Sequence, residues 1–285
     1  MSSALKVFLL CLVILGGTVS LQSQDEEKRL ERVANDVSFA VLSVWYTPPG
    51  PQINMQVVGT AFLVTPDGYF VTAAHVLQWY NPKSAQMTVG IRERSDNISG
   101  SWFDVIEKDE KHDIALCKTT LPLGQFSKLI TKNPGLEFPI ASVQVSDAQP
   151  VTGEFVAIAG FPLGSWNPTI QFGTVAAVRT VSPNVGRVPA GQRDLLQISV
   201  SGNKGNSGSP VIDLDTEKVI GVIVQAEPAP LYTPSDEGLP FAQSSGILLA
   251  VPATWVQDLL QRNHVQSVSR HPPKGHTSYY PPPSK

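Results

Sequence analysis

Three short stretches carry residues able to do nucleophilic chemistry together. Ser207 stands in "GNKGNSGSPV" (202–211), His75 in "GYFVTAAHVL" (68–77) and Asp113 in "KHDIALCK" (111–118). A serine hydroxyl is a weak nucleophile and needs a neighbouring general base. The usual base is an imidazole, held in one tautomer by a carboxylate. Of the five histidines, His264, His271 and His276 lie in or near the C-terminal stretch, which leaves His75 and His112. His75 follows an apolar run and a pair of alanines, small enough to let the backbone turn closely and aim the imidazole into a cleft. Asp113 immediately precedes "IALC", at the mouth of a strand, where a partly buried carboxylate needs a partner. Gly205 permits a backbone shape closed to other residues. The N–H groups of Gly205 and Ser207 can then converge as an oxyanion hole. Gly208 keeps space clear beside the hydroxyl. Taken alone, this Gly-, Asn- and Ser-rich segment reads first as a polar turn between two strands, and the rest of the chain has to supply the evidence for more.

The elements that must position these residues are short. Runs rich in Val, Ile, Phe and Thr recur at 39–46, 59–64, 69–77, 87–93, 102–109, 154–161, 173–181, 194–201, 210–214, 219–225 and 246–252, with Gly, Pro, Asn or Asp between them. Many short strands and few helix-length patterns indicate an all-β sandwich or barrel rather than an α/β fold. Leu30, Val33 and Val37 recur at helical spacing in 25–37, and "PATWVQDLLQRN" (252–263) reads as a terminal helix begun by Pro. Pro and Gly around 131–142 divide two strand-rich halves. The chain is thus expected to comprise an N-terminal helical segment (21–38), a first half (39–138), a second half with the helix (139–264) and a Pro-rich tail (265–285) without fixed structure.

The sequence has 285 residues, 16% of them charged, and a formal net charge of −3. Without a basic run or stripe, nucleic acid is not an expected partner. Residues 1–20 have the form of an export signal: Lys6, the apolar run 7–17, then Thr18 and Ser20 at cleavage spacing. The run is short for a membrane span, which needs about 20 residues. The expectation is therefore an exported protein, periplasmic or extracellular, with an uncleaved anchor as the alternative and no stable membrane span. Cys11 would leave with the signal, and Cys117 would remain alone as a buried small hydrophobe, so no intrachain disulfide is expected.

The blocks "GTAFLV…DGYFVTAAHVL", "HDIALCK", "EFVAIAGFPLG", "GTVAAV" and "GNKGNSGSPVID…VIGVIVQ…GILLAVP" resemble the chymotrypsin-fold serine proteases, and within them the HtrA/DegP branch, over about residues 35–262. The resemblance implies two six-stranded antiparallel β-barrels and a short C-terminal helix. It implies His75 as base, Asp113 as its orienting carboxylate and Ser207 as nucleophile, with Gly205 and Ser207 N–H as the oxyanion hole. It also implies hydrolysis without metal or cofactor, protein or peptide substrates, possibly unfolded, and a tendency to homo-oligomers. The primary specificity pocket would be walled by Ser201, Gly202, Asn203, Ile247 and Leu248. Ser201 stands where a trypsin-like preference for Lys or Arg requires an acid, so a small or apolar side chain is expected.

Three departures from the family pattern stand out. Asn206 replaces the Asp that pairs with a freed N-terminus in digestive members, so zymogen cleavage is not the expected switch. Ser209 replaces Gly or another small residue. With few residues given after the helix, the peptide-binding PDZ domain of typical HtrA proteases is not expected. An alternative from another class is a protease-like peptide-binding scaffold without activity. An α/β hydrolase is disfavoured, because its motif needs Gly where Ser209 stands and its acid and His after the Ser.

Overall fold

The computed structural model describes residues 26–51, 54–84, 86–94, 97–120, 141–165, 167–181, 193–230 and 242–272. The expected export signal (1–20), the Pro- and Gly-containing divide up to residue 140, most of the long loop after 226 and the tail beyond 272 lie outside them.

The described residues form two antiparallel β systems. The first is a seven-stranded sheet in the order β5-β4-β1-β2-β3-β7-β6, built from β1 (Val41–Tyr46), β2 (Gln56–Leu63), β3 (Tyr69–Ala73), β4 (Met87–Arg94), β5 (Asn97–Ser101), β6 (Phe103–Asp109) and β7 (Ile114–Thr119). The second is a closed barrel in the order β10-β13-β12-β11-β8-β9, built from β8 (Phe155–Gly160), β9 (Thr169–Val181), β10 (Arg193–Ser199), β11 (Pro210–Asp213), β12 (Val219–Pro230) and β13 (Ala242–Pro252). This is the chymotrypsin-like double-barrel class. The first sheet has one strand more than the six expected. The extra strand, β5, is the segment "NISGS", whose Asn, Ser and Gly give no apolar run to read.

Burial runs almost continuously along strands such as β1, β3, β7 and β8, which are covered on both faces. Phe62, Leu63, Phe70, Leu116 and Cys117 are fully buried in the first sheet, and Ile158, Leu195, Leu196 and Ile198 in the second barrel. A helix, α1, runs through 26–38 and lays Val33 and Val37 into the core with Leu30 partly covered, as its spacing predicts. Its polar side reaches the β11–β12 hairpin, with Arg29 bonded to Asp215 at 3.1 Å and Arg32 paired with Glu217. The terminal helix α2 (Ala253–Arg262) begins after Pro252 and buries Val256, Leu259 and Leu260.

Candidate active site

The register of the first sheet brings His75 and Asp113 together. Ala73, the last residue of β3, pairs with Ile114, the first residue of β7. The residue just before β7 therefore lies beside the chain just after β3. There the backbone tightens into a short 3-10 helix, Ala74–Leu77, which places His75 on its outer side while Val76 and Leu77 are buried. Asp113 ends the β6–β7 hairpin loop with φ at 59°, a left-handed conformation that Asp tolerates better than most residues. In that conformation its two carboxylate oxygens serve one partner. Oδ1 accepts the His75 backbone N–H at 2.8 Å and Oδ2 lies 2.7 Å from His75 Nδ1. The Asp113 carbonyl also accepts the Ala74 N–H at 3.1 Å. Asp113 is 15% exposed and the imidazole 43%, so the ring is anchored at its Nδ1 edge and open on the other.

Ser207 belongs to the loop between β10 and β11, yet it is docked on the first sheet. Its carbonyl accepts the Thr60 N–H at 2.8 Å. A Cβ added at Gly59 would lie 2.6 Å from Val76 Cγ2 and 3.0 Å from the Ser207 carbonyl oxygen, so only a bare Cα fits there. A Cβ on Gly208 would fall 1.9 Å from the Thr60 carbonyl oxygen and 3.1 Å from the Ala73 nitrogen. The Ser207 carbonyl is thus held beside Gly59, which packs on Val76, while the next residue, Gly208, lies close to Thr60 and Ala73. No hydrogen bond joins Ser207 Oγ to the imidazole.

The N–H groups of Gly205 and Ser207 have no acceptor among the described residues. The first is set by its own peptide. The Lys204 carbonyl accepts the Leu163 N–H at 2.6 Å, and the bond is trans, so the Gly205 N–H points away from the 161–163 segment. Gly205 takes φ +99°, and a Cβ there would lie 2.1 Å from the Phe161 carbonyl oxygen. Leu163 itself is left-handed at φ 55° and 76% exposed.

Sequence reading did not single out Thr60, which is fully buried in β2. Its hydroxyl donates to the Gly205 carbonyl at 2.7 Å and accepts the Phe161 N–H at 3.1 Å. Its carbonyl accepts the Thr72 hydroxyl at 2.7 Å. The signal available was a hydroxyl inside the apolar strand "GTAFLV". Ser209 also has a structural companion. It is fully buried, and a Cβ on Gly160 would overlap its Oγ at 2.1 Å, so Gly160 makes the room that Ser209 uses.

Of the five residues expected to wall a specificity pocket, Ser201 and Asn203 are exposed and Gly202 is buried. Leu248 is fully buried in the second barrel and packs on Gly202, where a Cβ would meet its Cδ2 at 1.9 Å. Ile247 is half-buried beside it. The Ser201 carbonyl accepts Gln171 Nε2 at 3.1 Å. No cluster of three His, Cys, Asp or Glu suited to a metal ion occurs among the described residues. Nor is any of their helices long and apolar enough to cross a membrane.

Residues 59–222 match the trypsin-like peptidase domain family. A probable periplasmic serine endoprotease, DegP-like, of Hahella chejuensis is 28% identical over 217 residues, which is 76% of this chain and 37% of that protein. The serine protease HTRA1 of Xenopus tropicalis is 30% identical over 208 residues, 72% of this chain and 36% of that one. The chain thus spans little more than a third of the length of these relatives. Among solved structures, a protease of M. tuberculosis in its active form superposes with a TM-score of 0.54 at 20% identity, covering 85% of this chain and 87% of that one. A serine endoprotease from Yersinia pestis gives 0.51 at 20% identity, with 82% and 65% covered. At that identity the two superpositions establish the fold.

Proposed function

The chain belongs to the trypsin-like peptidase family, and from that premise we propose that it is an exported serine endopeptidase acting through His75, Asp113 and Ser207. The observation that carries the reading is the two-point hold of Asp113 on His75, at 2.8 and 2.7 Å, beside a loop that docks Ser207 on the same sheet. With Nδ1–H donated to Asp113, the other ring nitrogen is free to take a proton. His75 Nε2 removes the Ser207 hydroxyl proton as Oγ attacks the scissile carbonyl carbon. The carbonyl oxygen gains the negative charge, and the unpaired N–H groups of Gly205 and Ser207 stabilise it. Collapse breaks the C–N bond, the amine leaves with the proton from His75, and an acyl-serine remains. Water then gives one proton to His75 and its oxygen to the acyl carbon, and Ser207 recovers its proton as the acid leaves. Each step is completed by side chains and backbone of this chain, with no metal or cofactor in the scheme.

A preference for small or apolar side chains before the cut is supported by the uncharged set Ser201, Gly202, Asn203, Ile247 and Leu248, and by Leu248 filling the space against Gly202. Export is supported by the pattern of residues 1–20 and by the periplasmic naming of the Hahella relative. The test is covalent labelling by a fluorophosphonate together with cleavage of unfolded casein. The expected result is labelling and cleavage by the native chain and neither by Ser207→Ala, where loss of the nucleophile costs on the order of 10⁴–10⁶ in rate. A folded native chain that does neither, even with unfolded protein added, overturns the reading in favour of a peptide-binding scaffold.

A further inference from the structure

The hold of Asp113 on His75 occurs a second time, four residues upstream. Asp109 Oδ1 accepts the His112 backbone N–H at 3.1 Å, and Asp109 Oδ2 lies 2.9 Å from His112 Nδ1. Both aspartates belong to one hairpin loop. Asp109 ends β6, Asp113 precedes β7, and the strand register closes the loop with Asp109 opposite Ile114. The upstream pair faces the interior. The His112 side chain is 6% exposed and its Nε2 is buried without a partner. An apolar side chain would fill that space without leaving a ring nitrogen unpaired. What His supplies there is a second bond to Asp109, so one residue closes the loop at two points.

The terminal helix holds this pair. The Trp255 ring of α2 stacks on the His112 ring with centroids 3.8 Å apart and planes 14° from parallel. Arg262, at the far end of α2, bonds Glu107 Oε1 through Nε at 3.1 Å and through Nη2 at 2.9 Å, and reaches Asp109 Oδ2 at 3.4 Å. Asn263 adds a bond to Glu107 Oε2 at 2.6 Å. The helix that follows the second barrel therefore grips the hairpin of the first, and the residue next to His112 in the chain is Asp113 with its left-handed backbone.

We propose that His112 and Trp255 are positioning residues for the Asp113–His75 pair: their stacked rings, anchored by Asp109 and Arg262, hold the hairpin loop in the conformation that lets Asp113 bind both the backbone and the ring of His75. The proposal rests on the assignment of His75 and Asp113 as base and orienting carboxylate. A contact that merely stabilised the fold would lower the melting temperature and leave the His75 ring where it is. A positioning contact moves the ring, and displacements of about 1 Å in such sites cost up to about a hundredfold in rate.

The test uses the full chain labelled with ¹⁵N-histidine and reads the low-field proton signal of the His75 Nδ1–H, identified by its absence in His75→Ala. Turnover of unfolded casein is the second readout. His112→Leu and Trp255→Leu are expected to broaden or shift the His75 signal and to lower kcat about tenfold with KM changed by less than about twofold. Trp255→Phe, which keeps a stacked ring, is expected to preserve both. Should His112→Leu fail to fold, Arg262→Met, at a partly exposed side chain, is expected to move the same two readouts in the same direction. An unchanged His75 signal and kcat in the Leu and Met variants, with only the melting temperature lowered, overturns the proposal. The resonance needs no turnover, so a native chain without activity would defeat the assignment of the triad and still leave the positioning claim decided by the signal.

Discussion

Thr60 holds both ends of the segment from Gly205 to Ser207: its hydroxyl donates to the Gly205 carbonyl at 2.7 Å, and its backbone N–H donates to the Ser207 carbonyl at 2.8 Å. A residue of the first sheet thus shapes the loop of the second barrel that carries the proposed nucleophile and both proposed oxyanion donors. The two carbonyls are turned toward Thr60, and the N–H groups of Gly205 and Ser207 have no acceptor among the described residues.

Thr60→Val keeps the shape and removes the hydroxyl. The Gly205 carbonyl and the Phe161 N–H lose their partner in a buried site, which costs about 1–3 kcal/mol for an unsatisfied group. Urea unfolding is expected to report that loss, and the rate of fluorophosphonate labelling is expected to fall with it, while Thr60→Ser retains both. Equal stability and equal labelling in Thr60→Val would refute the role of the hydroxyl.

Gly205→Ala places a methyl group 2.1 Å from the Phe161 carbonyl oxygen on a backbone at φ +99°. Neither neighbour can yield cheaply, so the Lys204–Gly205 peptide must move and its N–H with it. Loss of one oxyanion donor costs about 10²–10³ in rate. The labelling rate should fall at least that far while far-UV circular dichroism stays that of the native chain. A labelling rate within about threefold of native would mean that this N–H contributes nothing to stabilising the oxyanion.

Cys117 lies in β7 with no exposed surface, and burial pushes its thiol far above the ordinary range, the distant charge of Lys108 only partly opposing it. Thiolate is the reactive form. Iodoacetamide at pH 8 is expected to leave Cys117 of the native chain unmodified over hours and to alkylate it promptly in urea, as peptide mapping would read, which makes the residue a reporter of unfolding. Rapid alkylation of Cys117 in the folded chain would contradict the buried placement.

The Asp109 carboxyl is held below the usual range. Burial works against its ionisation, but the His112 side-chain and backbone bonds and the His112 and Arg262 charges together outweigh it. A carboxyl with a depressed folded-state pKa stabilises the fold above its unfolded value, about 3.9, and that contribution is lost as the pH falls through the lower folded value. The melting temperature should therefore fall on acidification below about pH 4, and Asp109→Asn should fall less steeply over the same range. Parallel curves for the two proteins would rule out this linkage.

Much of this was legible in the residue pattern, for definable reasons. The strand runs at 39–46, 87–93 and 210–214 coincide closely with β1, β4 and β11 because buried strands must be apolar and their ends are punctuated by turn residues. The nearness of His75 and Asp113 was legible because each sits at the end of an apolar run, and neighbouring strand ends meet. Thr60 was not, because its role depends on which loop lands on β2, a contact between residues 145 positions apart. β5 escaped because its residues lack an apolar pattern. Leu163 escaped because a left-handed backbone at a leucine runs against local preference, and its bond to the Lys204 carbonyl joins segments far apart in the chain. His112 was visible as a histidine, but its stack on Trp255 was not, since no local rule pairs a hairpin loop with a helix so far along the chain.

That last separation has a consequence in time. Arg262 and Glu107 are 155 positions apart. Synthesis adds about 5–20 residues per second, so the hairpin leaves the ribosome on the order of 8–30 s before the helix that grips it. During that interval the loop carrying Asp113 is present without its clamp, and Ser207 and its loop are still being made for most of it. A centre built as proposed from parts that emerge in this order is incomplete on the nascent chain until Ser207 emerges, and it gains its clamp only as the terminal helix arrives.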